Sequence, residues 1–448
     1  MEVKISETAV VAPSPSPFDH DHVLTLSHLD NDPNLHVTFR YVRAYVAKPP
    51  VPSSDPFHVI SSALSSALVH YYPLAGTLRR TPDHRLEVFC SPGQGVRLIR
   101  ASVNSTLESL RYIDDPDSDF IEHLSPAVDP DEGLLNPCVL QVTEFDCGGY
   151  TLGAAIHHSL CDGMGATQFF NVMAQLARGE TRLLASPVWD RVKLLGPRDP
   201  PRVEAPIRDF LSLDSGFSPY RQSIGPVVRK CFNVKDEHLE RFKAELLERC
   251  GLKFTTFEAL GAFIWRAKVK ASEVPGDEIV KFAYSINMRK LVKPPLPGGY
   301  WGNGCVPMYV KLSAKDLVQK PLWETAEQIR KSKSNATDEY VRSFIDFQEL
   351  HRGEGITAGK GVTGFTDWRH LGHSTVDFGW GGPVTVLPLS RNLLGSVEPC
   401  FFLPYSSASV GDKDGFKVLV NLRVTAVPAF SEAMDKFSRL EFGLYSSL

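Results

Sequence analysis

Two adjacent histidines and an aspartate, His157, His158 and Asp162, stand together in AAIHHSLCDGMGA at residues 154–166. Burying an imidazole or a carboxylate without a partner is costly, so an apolar segment that delivers three such groups to one turn is either a satisfied structural knot or a reactive site. In a structural reading one histidine packs, the other is solvated, and Asp162 caps the following helix. A metal reading is disfavoured, because adjacent residues on a strand point to opposite faces and cannot readily hold one ion; no metal is expected. In a general-base reading one imidazole, with an ordinary pKa of about 6.5, takes a proton from an amine or hydroxyl while Asp162 fixes the turn that aims it. No nucleophile accompanies the histidines. The chain has no GxSxG elbow, and Cys161 lies inside the turn rather than at a helix N-terminus, so no covalent enzyme intermediate is expected.

The elements around this stretch say where the three side chains sit. CVLQVTEFDCGGYTLGAAIHHS reads as two strands joined across Cys147-Gly148-Gly149, with the histidines at the outgoing end. After Asp162, the residues Met164, Phe169, Val172, Met173 and Leu176 share one helix face, and Gly179 ends it. The motif therefore falls at a strand-to-helix junction. Upstream, the spacing predicts a helix from Val59 to Val69 and a strand in HRLEVFC. Downstream, Ser186 to Pro226 loses periodicity and gains proline, as a linker does. DEHLERFKAELLERCG and TTFEALGAFIWRAKVKA follow as amphipathic helices. GKGVTG at 359–364 fits GxGxxG but precedes no long helix with an acidic residue beyond it, so it is read as a loop rather than a dinucleotide fingerprint.

Bulk properties narrow the function classes. At 448 residues the chain outgrows a single core, which points to two domains and a cleft. Its composition, 43% hydrophobic and 22% charged, fits an α/β globular protein of sheet-rich halves. A net charge of −4 and the lack of a basic run argue against nucleic acid. With no signal-like apolar segment, no membrane span and eight scattered cysteines, a cytoplasmic protein with reduced thiols is expected.

HxxxDG at His158–Gly163, together with DFGWG at Asp377–Gly381, resembles the plant BAHD acyl-CoA-dependent acyltransferases. LSHLDNDPN, HYYPLAGTLRR, LQVTEFDCGGYTLG, TTFEALGAFIWRAKVKA and PPLPGGYWGN fall in that family's order. The resemblance implies two similar mixed-sheet-plus-helix domains of the chloramphenicol acetyltransferase type, at 1–190 and 227–448. They are joined by a crossover at 191–226, and a segment near 382–405 packs with the first domain. It implies that His158 is the general base in a channel between the domains, open to acyl-CoA on one face and to the acceptor on the other. Asp162 would turn from the substrate and pair with an arginine of the second domain, for which Arg289 in INMRKL is the matching position. The family usually has Asp two residues earlier, where this chain has Asn287. Asp377, Gly379 and Gly381 of DFGWG are implied to be structural, near the CoA entrance. Thr366 and Trp368 match positions implied to hydrogen-bond the oxyanion, with simple packing as the alternative. Thr255, Thr256, Ser285 and Asn303 fall where the family approaches the pantetheine arm.

The implied reaction uses acyl-CoA as a co-substrate, needs no permanently bound cofactor, and is carried out by a monomer on a small-molecule acceptor. The wording of the motifs is most similar to the spermidine hydroxycinnamoyl transferase branch, which implies an aromatic acyl donor and a polyamine or alcohol acceptor. The alternatives are an alcohol O-acyltransferase with an acetyl or benzoyl donor, and a non-catalytic small-molecule binder. A polyamine would need carboxylates on its side of the channel, and an alcohol would want apolar walls. YIDDPDSDFIEH and FIDFQELHRGEG supply the acidic candidates, although acidic loops are commonly solvated surface.

Overall fold

The strand that ends at the histidines is built to be covered on both faces. Tyr150–His157 is buried at all eight positions and lies between Cys138–Phe145 and Thr38–Tyr45, antiparallel to both. Small residues at its centre allow other chain to press close. A Cβ at Gly153 would stand 2.1 Å from the Leu124 carbonyl oxygen, so no larger residue fits. The computed structural model describes residues 1–47, 55–114, 118–183, 185–220, 225–408 and 414–444.

Two six-stranded mixed sheets organise these residues. The first runs Lys4–Val11, Val96–Val103, Cys138–Phe145, Tyr150–His157, Thr38–Tyr45 and Thr385–Pro388 in spatial order. The second runs Val227–Val234, Phe416–Arg423, Cys400–Leu403, Val362–Asp367, Ile279–Asn287 and Cys305–Ser313. Helices Pro56–Leu68 and Gly163–Ala177 pack on each other beside the first sheet, and Thr256–Ala271 packs with Leu322–Ser334 and Val427–Ser438 beside the second. Each sheet anchors its own large hydrophobic cluster. The result is an α/β fold of two similar halves, each burying one face of a sheet under helices. No helix among the described residues is long and apolar enough to cross a membrane.

The halves are not simply consecutive. Thr385–Pro388 leaves the second half to pair with Thr38–Tyr45 at the edge of the first sheet, with Leu387 opposite Val42. Within the expected 382–405 segment, Cys400–Leu403 pairs in the second sheet, while the Phe401 and Leu403 side chains pack in the first hydrophobic cluster. The proline-rich crossover is also less passive than its composition suggests. It forms the short helix Arg191–Leu195, and the Arg191 side chain is fully buried. GKGVTG behaves as a loop only through Gly361, since Val362–Asp367 is a central strand of the second sheet.

Leu387 is fully buried in the first cluster although it comes from the second half. Leu387→Ala is expected to cost about 2–5 kcal/mol through lost burial and a residual cavity. Urea unfolding would register this as a lower midpoint. An unchanged midpoint would mean that the crossing strand contributes nothing to the first core.

Candidate active site

The turn between strand and helix is held from several directions. Asp162 is the N-cap of Gly163–Ala177, its Oδ1 accepting from the Gly165 N–H at 2.9 Å. The same carboxylate receives Arg289 as a two-pronged pair, Nη1 to Oδ2 at 2.8 Å and Nη2 to Oδ1 at 3.0 Å. The Gly304 N–H and the Cys305 thiol also donate to Oδ2, at 2.9 and 3.3 Å. A Cβ at Gly304 would lie 2.4 Å from the Arg289 guanidinium, so a larger residue there would push the arginine out of this pair. Burial acts to raise the Asp162 pKa, but the Arg289 charge and these donors outweigh it and hold the carboxyl at about 2. The capping role and the ion-pair role are therefore filled by one side chain.

The backbone of the turn is held as firmly. The Asn303 amide donates to the His158 carbonyl at 2.8 Å, and Arg191 Nη2 donates to the Leu160 carbonyl at 3.0 Å. Both supports converge on Asp30, which is fully buried and accepts from Asn303 N and Nδ2, Ser27 N and Oγ, and Arg191 Nη1. Trp301 fixes the neighbouring helix start, its indole N–H donating to the Gly165 carbonyl at 2.8 Å.

The two histidines part company as the strand geometry requires. His157 is buried on one side, with Nδ1 accepting from the Ser159 N–H at 3.3 Å. His158 faces the other way into a cavity of about 460 Å³, lined by residues of both halves. Its Nδ1 is buried without a partner, so Nε2 is the nitrogen that meets the cavity. Burial pushes the imidazole below its ordinary value, partly offset by the charge of Asp162, so it is neutral and able to accept a proton at pH 7. Phe39 lies edge-on to the ring at 6.0 Å between centroids. Much of the remaining wall is apolar, including Leu29, Leu35, Tyr41, Phe257, Phe344, Phe365 and Leu371.

Ser285, Asn303, Thr366 and Trp368 all line this cavity. Thr366 Oγ1 and Trp368 Nε1 make no hydrogen bond among the described residues, and Trp368 is wedged between Phe39, Tyr41, Phe401 and His373. Asn303 has its amide committed to Asp30 and to the His158 carbonyl. Thr255 and Thr256 do not reach the lining. Thr255 is the N-cap of Thr256–Ala271 in a reciprocal capping box with Glu258, and Phe257, just after the two threonines, enters the cavity wall. Asn287 turns to Met164 and accepts from the Arg289 N–H. Asp377, Gly379 and Gly381 are also outside the lining. The Asp377 carboxylate accepts from both glycine N–H groups at 2.8 Å, with Gly379 at φ +106° and Gly381 at φ +88°, and Phe378 and Trp380 pack on Tyr45 and Tyr150.

The acidic runs also lie elsewhere. Glu122 pairs with Arg40 and Arg229, Asp346 with Arg198, and Glu349 with His28, while Asp115 and Asp117 fall outside the described residues. Among the described residues of those two runs, only Phe344 lines the cavity. The aspartates that do are Asp32, Asp162 and Asp367. Asp32 and Asp367 were missed as site residues, although the first stands inside LSHLDNDPN and the second inside FTDWRHL.

The model of the family described as Transferase matches residues 1–437. A spermidine coumaroyl-CoA acyltransferase of Arabidopsis thaliana is 32% identical over 96% of this chain and 95% of its own. A taxadien-5-alpha-ol O-acetyltransferase of Taxus cuspidata is 32% identical over 97% of each chain. Among solved structures, vinorine synthase superposes with a TM-score of 0.69 at 20% identity, covering 96% of both chains, and so shares the fold.

The Asp162 pair makes stability depend on pH in a defined direction. Its carboxyl lies at about 2 in the folded chain against 3.8 ordinarily, so its contribution is complete above about pH 4 and is lost as pH falls through 2. A difference of this size corresponds to about 2 kcal/mol. The gap in urea-unfolding free energy between the wild type and Asp162→Asn is therefore expected to narrow as pH is lowered from 4 towards 2. A gap independent of pH would show that the pair's charge does not stabilise the fold.

Proposed function

The chain belongs to the BAHD Transferase family of acyl-CoA-dependent acyltransferases, and from that premise we propose that it moves an aromatic acyl group, such as hydroxycinnamoyl, onto an amine or hydroxyl acceptor with His158 as general base. The observation that carries this reading is the accessible Nε2 of a neutral imidazole, held at the seam of the two halves inside a largely apolar cavity.

The chemistry follows from that placement. The acceptor nitrogen or oxygen attacks the thioester carbonyl carbon while His158 Nε2 takes its proton. The electron pair of the C=O bond moves to oxygen, and the hydroxyl of Thr366 and the indole N–H of Trp368 are the donors available to it, neither being engaged elsewhere. Collapse of the tetrahedral intermediate breaks the C–S bond. The CoA thiolate leaves and recovers the proton from the imidazolium. A thiol with a pKa of about 8.5 is a far better leaving group than an alcohol, so expulsion needs no metal and no covalent enzyme intermediate. Asp162 and Arg289 act here as positioning residues, because the carboxylate is consumed by its four partners. Ser285 is the hydroxylic residue on the donor side.

Relatives named for spermidine and for a terpenoid alcohol leave two acceptor classes in view. An apolar wall suits an alcohol, and a buried carboxylate in that wall suits an amine. We place the enzyme in the cytosol as a monomer. Eight free thiols fit a reducing compartment, and one chain supplies both sides of the cavity.

His158→Ala is expected to lower acyl transfer, followed as release of free thiol, by at least about 100-fold while acyl-CoA still binds. His157→Ala should act on stability instead. Equal turnover in the His158 variant would remove the base. Because burial lowers the His158 pKa, transfer to an uncharged alcohol should hold as pH is lowered through 6.5 and fall only below it. An acid limb centred above 6.5 would contradict the buried neutral imidazole.

A further inference from the structure

Three carboxylates border the cavity, and two of them are neutralised by the protein itself. Asp162 is paired with Arg289, and Asp367 is gripped by Arg369 through Nε at 2.9 Å and Nη2 at 2.7 Å. Asp32 has no such partner. It is 5% exposed, and its Oδ1 accepts from the N–H and the side-chain amide of Asn34, both at 2.9 Å. No lysine, arginine or histidine among the described residues pairs with it. The amide oxygen of Asn34, beside it in the same lining, is buried with no donor. The neighbours that feel its charge are phenols, Tyr220, Tyr309 and Tyr340, and the Tyr309 hydroxyl is itself without a partner.

A buried carboxylate with no cation is a large uncompensated cost, and such groups are kept where something else supplies the charge. Burial already raises its pKa to about 6, as expected for a carboxyl lacking a counter-ion. Its place along the chain connects it to the base. Asp32 caps the short turn Pro33–Leu35, and two residues beyond that turn the Val37 carbonyl accepts from the His158 N–H at 2.8 Å. Five residues span at most about 17 Å even fully extended, and the turn shortens this. A flexible molecule can therefore touch both groups.

Resting on the acyltransferase reading above, we propose that Asp32 is the cation-binding residue of the acceptor pocket, and that the acceptor is a di- or polyamine. One amine, neutral in the apolar cavity, is acylated at His158 while a second, protonated amine sits on the Asp32 carboxylate. The two ends of the acceptor are sorted by environment. Desolvation beside His158 favours the uncharged amine needed for attack, and the negative charge at Asp32 favours the ammonium. Among the described residues, no carboxylate of the two acidic loops lies in the lining.

Calorimetric titration with spermidine alone, in the absence of acyl-CoA, separates this proposal from the catalytic one. The wild type and His158→Ala are expected to bind spermidine alike, and Asp32→Asn to bind it at least about 10-fold more weakly, the usual loss for a hydrogen bond to a charged group. Asparagine can still accept from the Asn34 N–H, so the turn is kept. Should that variant not fold, the wild type itself gives the answer: butylamine, whose single ammonium can sit on Asp32, should bind at least about 10-fold more tightly than butan-1-ol, which lacks the charge. A wild type that does not bind spermidine, an Asp32 variant that binds it equally well, or no preference for the amine over the alcohol overturns the proposal. The acyltransferase reading fails by a different result, undiminished thiol release in His158→Ala.

Discussion

Asp30 is the residue on which the site depends. It is fully buried and answers donors from its own loop, from the crossover and from the second half: Ser27, Arg191 and Asn303. Arg191 and Asn303 then each spend a further donor on the turn that follows His157, at the Leu160 and His158 carbonyls. A turn of irregular backbone would otherwise leave carbonyls unpaired in a protein interior. One satisfied carboxylate thus fixes the backbone on which the proposed base, His158, is carried, and it does so through residues more than a hundred positions away from it in sequence. Without that anchor the imidazole would lie on a loop free to rearrange, and an imidazole out of reach of the thioester does no chemistry.

The cavity uses burial in opposite ways on like groups. Asp162 and Asp32 are both buried aspartates capping helical turns, yet the first is held at about 2 by Arg289 and the second rises to about 6 for want of any cation. His157 and His158 are neighbours whose pKa values are both lowered, but only one opens to the cavity. Environment rather than residue type assigns the roles. The charge that the protein completes becomes structure, and the charge it leaves incomplete is the one a ligand can complete.

The part of this legible in the sequence is the part written in local pattern. The strand ending at His157, the helix opened by Asp162 and the glycine stop of Asp236–Cys250 at Gly251, with φ +71°, follow from alternation, periodicity and caps. That the histidines would face opposite ways follows from the pleat alone. The Asp162–Arg289 contact is separated by more than a hundred residues, and it was readable only through resemblance to a family. What stayed hidden was long-range and polar. Thr255 looked like a binding hydroxyl, but T-x-x-E before an apolar run is also a capping box, and the cap is where its oxygen goes. The acidic runs looked like a cationic subsite because they are dense in charge, but Glu122 and Asp346 are met by Arg40, Arg229 and Arg198, which the sequence places far away. Asp32, the second of two aspartates in LDNDPN, gave no such signal, since its meaning lies in the absence of a cationic partner among the described residues.

The same cross-links bear on how substrates arrive. Opening the two halves like a hinge would tear Asp162 from Arg289 and Asp30 from Asn303, and would peel Thr385–Pro388 from the edge of the first sheet. Breaking one buried charge pair by removing a partner already costs about 3–5 kcal/mol, and an opened interface would break several polar contacts at once. Substrates are therefore better served by a fixed passage than by separation of the halves. In the proposed reaction, donor and acceptor would then meet at a His158 that does not move between turnovers. In that arrangement selectivity must come from the wall they pass. A wall of leucine, phenylalanine and tryptophan discriminates weakly by shape, whereas one unpaired carboxylate discriminates by charge.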